Sequence, residues 1–292
     1  MMNLPTVTWI TADDGQFTRI IGMVHQSTQQ SSLRCLQSAH ADDTYQAIHT
    51  AWLAELNDGQ LMIGTTGESA LAAEYQLERA WLRGPFGNRA HASILWQALT
   101  HQLPAHVTTY DAFPHRDAHE LIIFWQTQGF RTIKTVHVMH HTDPIVDALT
   151  DGVHRATQAH RNAIAALHHR HFANAWATID DLFIDDDHHL LSVITTENDV
   201  VKGYAWWSID VLDLSATLEY LAVADAYQRQ GVASNLIYHG LAWAYGQQLN
   251  RVQLTVDDDR IGAQALYHRC GFRTKSSGVH LRWQKQSEAH HV

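Results

Sequence analysis

Tyr227-Gln228-Arg229-Gln230-Gly231-Val232-Ala233-Ser234 is the stretch on which the fold turns. It follows a β-rich apolar run, Ala216 to Val223, that reads as a buried strand. It leads into Gly231 to Gln247, where Val232, Leu236, Ile237, Leu241 and Tyr245 recur at helical spacing. A strand, a tight loop and a helix start form an anion site. The loop N–H groups point outward and the helix dipole favours negative charge. Gly231 adopts backbone angles that other residues resist and lets a phosphate approach. Ala233 is small enough to keep that approach open.

Working outward, Ala159 to Trp176 is rich in Ala, Leu and His and predicts a helical region. Leu190 to Thr196 and Val200 to Trp207 predict two strands joined by the turn Glu197-Asn198-Asp199. Arg251 to Val256 predicts another strand. Ile261 to Arg269 predicts a short helix stopped by Gly271. Phe272 to Thr274 and Val279 to Trp283 close the sheet. This order predicts an α/β fold (mixed α+β), a mixed and mostly antiparallel sheet flanked by helices.

Gln228-x-x-Gly231-x-Ala233 is similar to the (Arg/Gln)-x-x-Gly-x-(Gly/Ala) pyrophosphate loop of GNAT acyltransferases. Upstream, Leu218-Glu219-Tyr220-Leu221-Ala222-Val223 resembles that family's fourth strand. Downstream, Ala263-x-x-Leu266-Tyr267-x-x-x-Gly271-Phe272 resembles its closing helix motif. The resemblance covers residues 151–285.

The resemblance implies acetyl-CoA as cosubstrate and an N-acyltransferase activity. Leu221, Ala222 and Val223 would offer backbone groups to the pantetheine arm. Gln228, Arg229, Gln230, Gly231, Val232, Ala233 and Ser234 would hold the pyrophosphate. Tyr267 matches the tyrosine near the thioester sulfur, where a phenol protonates the departing thiolate; the alternative is a space-filling core tyrosine. Glu219 stands where many relatives keep a carboxylate, as a base for the amine or as a structural acid. Strand alternation predicts that Glu219, Leu221 and Val223 share a face. Arg260 departs from the family pattern, which often has Asn there; an arginine would meet a CoA phosphate or the pantetheine. Ala263 completes the donor-side set. The mechanism implied is direct attack of the amine on the thioester, with no covalent enzyme intermediate.

A repeat extends this reading to the other half. Phe124-Trp125-Gln126-Thr127-Gln128-Gly129-Phe130-Arg131-Thr132 matches Leu266 to Thr274 at an offset of 142 residues. The same offset lays Ile94-Leu95-Trp96 on Leu236-Ile237-Tyr238, Leu99 on Leu241 and Ala80 on Ala222. Two tandem GNAT-like domains are expected, residues 1–142 and 151–292, with turn residues between His141 and Gly152. In the first copy Gly59 to Thr65, Ala70 to Gln76 and Arg79 to Arg83 predict strands. There Arg89 and His91 replace Gly231 and Ala233, Pro85 removes a donor, and Trp125 replaces Tyr267. This copy is expected to be degenerate, packing on the other half and completing the acceptor cleft.

The formal net charge of −10 disfavours nucleic acid. Cys35 and Cys270 lie far apart without a CxxC pattern, which suits free thiols and a cytoplasmic setting. Cys270 reads as inert. No apolar run approaches the ~20 residues of a membrane helix, and the start carries no signal-peptide pattern. The 23 histidines include His168-His169-Arg170-His171 and Asp185-Asp186-Asp187-His188-His189, but no metal-ligand spacing. Asp257-Asp258-Asp259 is a solvated loop or an attractor of cations. Trp206 and Trp207 point to opposite faces, one into the core and the other toward an acceptor. Expected acceptors are primary amines on small metabolites, amino sugars, or a protein terminus or lysine. A non-catalytic acyl-CoA-binding regulatory module is the alternative, and a longer acyl donor a variant.

Overall fold

The computed structural model describes residues 5–29, 44–142, 152–173, 175–211, 214–249 and 251–285. Cys35 and most of the expected inter-domain turn, residues 143–151, lie outside the described residues. In chain order the elements are β1 (Thr8–Trp9), α1 (Phe17–Thr28), α2 (Tyr45–Asn57), β2 (Leu61–Thr65), β3 (Ser69–Gln76), β4 (Arg79–Gly87), α3 (Ala92–Gln102), β5 (Thr109–Ala112), α4 (His119–Thr127) and β6 (Arg131–His141). There follow β7 (Val153–Arg155), α5 (Arg161–His171), α6 (Ile179–Leu182), β8 (His189–Thr195), β9 (Val201–Asp210), β10 (Ser215–Val223), α7 (Val232–Gly246), β11 (Arg251–Asp257), α8 (Ile261–Arg269) and β12 (Phe272–Gln284).

The chain forms two compact units that are not consecutive in sequence. One comprises residues 1–137 and 276–292, the other residues 138–275. The expected cut at 142 and 151 keeps the last strand with the second half. Instead the end of β12 pairs with β5 inside the first unit, Leu281 opposite Ala112 and Trp283 opposite Tyr110. The side chains explain why. The buried Asp111 carboxylate accepts from His280 Nε2 at 2.8 Å and from Arg282 Nε at 2.7 Å. These partners hold its pKa below the ordinary value against the opposing effect of burial. The two closing strands expected from sequence are one, because Ser277 and Gly278 are paired rather than turned. Ser277 Oγ lies 2.8 Å from His137 Nδ1, and Gly278 bridges His115.

In the first unit β2, β3 and β4 pair antiparallel and β4 pairs β5 parallel. In the second, β7, β8, β9 and β10 pair antiparallel and β10 pairs β11 parallel. The repeat is therefore architectural. Helices α4 and α8 hold to the 142-residue offset, each ending before a left-handed glycine, Gly129 or Gly271 (both φ 90°). The strands do not. Arg79–Leu82 pair β5 as Ser215–Leu218 pair β11, so Ala80 corresponds to Ala216, not Ala222.

The second unit has one core on each face of its sheet. Trp207, Leu236, Ile237, Leu241 and Phe272 pack on the α7 side, and Trp206, Tyr204, Tyr220 and Ile164 on the α5 side. Trp206 and Trp207 do face opposite ways, but both are buried. Trp207 lies under Gly240 of α7, where an added Cβ would meet its Cε2 at 2.0 Å. Among the described residues no helix is long and apolar enough to cross a membrane. Gly240→Ala is expected to lower stability by ~2–3 kcal/mol through overpacking; an unchanged urea midpoint would contradict this contact.

Candidate active site

The site begins where β10 loses a neighbour. Its pairing with β11 runs from Ser215↔Arg251 to Leu218↔Leu254 and stops. Its pairing with β9 continues to Val223↔Gly203. Leu221, Ala222 and Val223 therefore lie on a stretch with one edge free of ladder partners.

The register of β10 against β9 shifts between Leu218 and Tyr220, a bulge at Glu219. Before it, Ala216 and Leu218 belong to the α7-side core. After it, Leu221 and Val223 pack on that side, while Tyr220 and Ala222 belong to the α5-side core. Strict alternation puts Glu219 on the face of Leu221 and Val223; the bulge puts it on the other. Its carboxylate accepts from Ser208 Oγ at 2.7 Å and bonds Trp176, whose ring lies against Trp206 and Tyr220. The extra residue of the bulge turns Glu219 and Tyr220 to one side.

The loop after β10 is built from its own backbone. Asp225–Tyr227 form a 3₁₀ turn, Gln228 is extended, and Arg229 (φ 60°) and Gly231 (φ 83°) are left-handed. The Gln228 amide donates to the Val223 carbonyl at 3.3 Å and to Asp225 Oδ1 at 3.1 Å. The Gln230 amide donates to the Ala226 carbonyl at 2.9 Å. Both glutamines thus brace the loop. The first amides of α7, from Val232 onward, have no intrahelical acceptor. Nothing lies within 4 Å of a Cβ placed on Gly231, so the mouth of the helix is open to an anion.

Tyr267, on α8, packs against the same core as Leu221, Val223, Val232 and Ala263. Burial, helped by neighbouring Cys270, pushes its phenol pKa up to about 12, so it holds its proton at neutral pH. The Cys270 thiol is also pushed up by burial and bonds Ser234 and Tyr238. It is no thiolate nucleophile, and the Ser234 side chain is turned inward toward it. Arg260 is exposed at the start of α8, 3.9 Å from Asp259.

Residues 157–272 match the family model "Acetyltransferase (GNAT) family". The chain carries a GNAT domain. Solved structures extend the fold to nearly the whole chain. A GCN5-related N-acetyltransferase from Sphaerobacter thermophilus is 16% identical over 95% of each chain, with a TM-score of 0.68. A tandem GNAT protein from the clavulanic acid biosynthesis pathway is 12% identical over 97% of this chain and 100% of that one, with a TM-score of 0.64. A GCN5-related N-acetyltransferase from Kribbella flavida is 17% identical over 94% and 98%, with a TM-score of 0.55. No curated protein matches the sequence significantly. The family match supports acyl transfer as the class of chemistry.

Within the GNAT domain the structure gathers Leu221, Val223, Val232, Ala263 and Tyr267 on one side of β10 and sets Glu219 on the other. The side chains of Gln228, Gln230 and Arg260 stand outside that cluster. Ser208, Trp176 and Tyr220, which surround Glu219, carried no signal in the sequence. Two cavities, about 340 Å³ beside Arg155 and Phe183 and about 260 Å³ beside Met23 and Arg89, involve neither Tyr267 nor Glu219.

In the first unit the matching link is shorter. From Leu82, the last residue paired to β5, it is ten residues to Ala92 at the start of α3. From Leu218 it is fourteen to Val232. Arg83 takes the position after the last pair, as Glu219 does, and is tied to Glu55 at 2.5 Å and Glu74 at 2.6 Å. Arg89 pairs with Glu120, and Trp125 is fully buried.

Burial pushes the Glu219 pKa from 4.5 up to about 7, against the opposing hydrogen bonds from Ser208 and Trp176. The native state then keeps a proton that the unfolded chain releases above pH 4.5. Stability should fall as pH rises from 4.5 to about 7, by up to ~3 kcal/mol, and then level off. Glu219→Gln should flatten that slope in urea titrations at pH 5 and 8; equal slopes would contradict a buried carboxyl.

Proposed function

We propose that the GNAT domain transfers an acetyl group from acetyl-CoA to a primary amine by direct attack. The observation that carries this is the free edge of β10 past Leu218, beside the left-handed loop at the mouth of α7. A pantetheine arm bears amides that can pair with such an edge, and a diphosphate suits the unpaired N–H groups of the loop. The loop's own bonds use the Gln228 and Gln230 side chains, which leaves its first helical amides for the donor in this reading.

The chain's groups divide the work. The backbone of Leu221 to Val223 orients the thioester arm, and the amides from Gly231 to Ala233 hold the diphosphate. Glu219, with a pKa near neutrality, takes the proton of the attacking amine, directly or through water. The amine nitrogen bonds to the acyl carbon, the carbon–sulfur bond breaks, and Tyr267 gives its proton to the departing sulfur. Arg260, exposed at the head of α8, is free to meet a phosphate of the donor. The first unit, with its shorter link and its Arg83 ion pairs, is a degenerate copy in this reading. A cytoplasmic setting goes with it, since a free thiol such as Cys270 and acyl-CoA suit that compartment.

Thiol release from acetyl-CoA with a panel of primary amines tests the assignment. Tyr267→Phe should cut kcat ~10²–10⁴-fold with little change in CoA affinity. The wild-type kcat/KM should rise with pH through about 7 as Glu219 loses its proton, and Glu219→Gln should remove that limb. CoA binding without turnover on any amine would make the domain an acyl-CoA-binding module instead.

A further inference from the structure

One aromatic residue leaves the core beside Glu219. Trp176, in the connection between α5 and α6, is 40% exposed. Its ring nevertheless lies against Trp206 (centroids 5.6 Å, 52°) and Tyr220 (6.3 Å, 36°). The backbone N–H groups of Trp176 and Ala177 both donate to the Tyr220 hydroxyl, at 3.1 and 3.3 Å. Tyr220 follows Glu219 in β10 and is turned to the same face by the bulge. Behind it, Trp206 stacks on Tyr220 (5.9 Å, 20°) and on His189 (5.4 Å, 4°), whose ring is held by Asp186 at 2.8 Å.

Tryptophan is large and is often left part-exposed. This one is fixed by main-chain bonds and by stacking, yet presents ring surface next to a carboxylate. Such a rigid aromatic contact loses little entropy when something is laid on it.

We propose that Trp176 is the acceptor-side specificity residue, selecting primary amines carried on an apolar or aromatic body. This rests on Glu219 being the base. The amine nitrogen must come within ~3 Å of that carboxylate, or of a water on it. The first carbons beyond the nitrogen then lie along the exposed Trp176 ring. Apolar carbon gains there by leaving water. A hydroxylated or charged body would lose its hydration against an apolar surface with no compensating partner.

The test is steady-state kinetics with acetyl-CoA and two acceptors, 2-phenylethylamine and glucosamine, in wild type, Trp176→Ala and Trp176→Phe. The expected wild-type preference is at least ~10-fold in kcat/KM for 2-phenylethylamine. Trp176→Ala also removes a hydrogen bond from Glu219 and so changes kcat for both acceptors alike; beyond that common factor it should raise the KM for 2-phenylethylamine ~10-fold, with the KM values for glucosamine and acetyl-CoA within about twofold. Trp176→Phe should keep most of the preference. If the alanine variant does not fold, Trp176→Gln, which tolerates exposure, gives the same readout. A wild type that favours glucosamine, or a variant that leaves the ratio of the two acceptors' KM values unchanged, overturns the proposal while acyl transfer stands. No thiol release with any amine sinks the acyl-transfer reading itself, and this proposal with it.

Discussion

The GNAT domain depends on a ladder that ends early. β10 needs β11 to anchor its first four residues in the sheet, and then has to leave it. Leaving would expose backbone on both edges if β9 did not stay paired to Val223. That pairing is close. A Cβ at Gly203 would sit 2.8 Å from the Ala222 carbonyl oxygen, so glycine is the residue that lets β9 follow. One edge is thus held by protein and the other is left for water or a ligand, because buried main-chain groups do not stay unpaired.

The bulge at Glu219 has a second consequence. It places the phenol of Tyr267 and the carboxyl of Glu219 against different cores. Each is perturbed chiefly by burial, and neither owes its shift to the other. One group keeps its proton at neutral pH and the other loses it near neutrality. Two groups side by side would share a proton and titrate as a pair. Held against different cores, the two groups titrate independently.

Local patterns in the sequence carried much of this. The bounds of α8 coincide with the expected ones, since its periodicity and the stop at Gly271 are local. β10 and α7 agree within a residue for the same reason. Three features were hidden because they are not local. The bulge inserts one residue into an alternation that remains apolar on both sides, so Leu218 to Val223 reads as an uninterrupted strand. The 142-residue offset holds at the closing helices and conceals a longer strand-to-helix link in the second unit. The placement of β12 depends on Asp111 meeting His280 and Arg282, a pairing separated by about 170 positions. Trp176 read as the last residue of a helix, but α5 stops at His171, and only the hydroxyl of Tyr220 reveals where the chain goes next.

The two units show what an early-ending ladder requires. β4 also stops pairing with β5, at Leu82, while its pairing with β3 continues to Gly87. The same opening therefore exists in both. In the first unit the residue at the break is Arg83, a buried cation that would be costly alone. Glu55 and Glu74 compensate it, and Trp52 lies under its guanidinium at 5.5 Å. Those partners occupy the protein's own side of the break with charge already satisfied. In the second unit the break carries a carboxyl with a pKa near neutrality, whose partners among the described residues are a hydroxyl and an indole. The architecture is shared, and the two units differ in whether the position after the last ladder pair is neutralised from within.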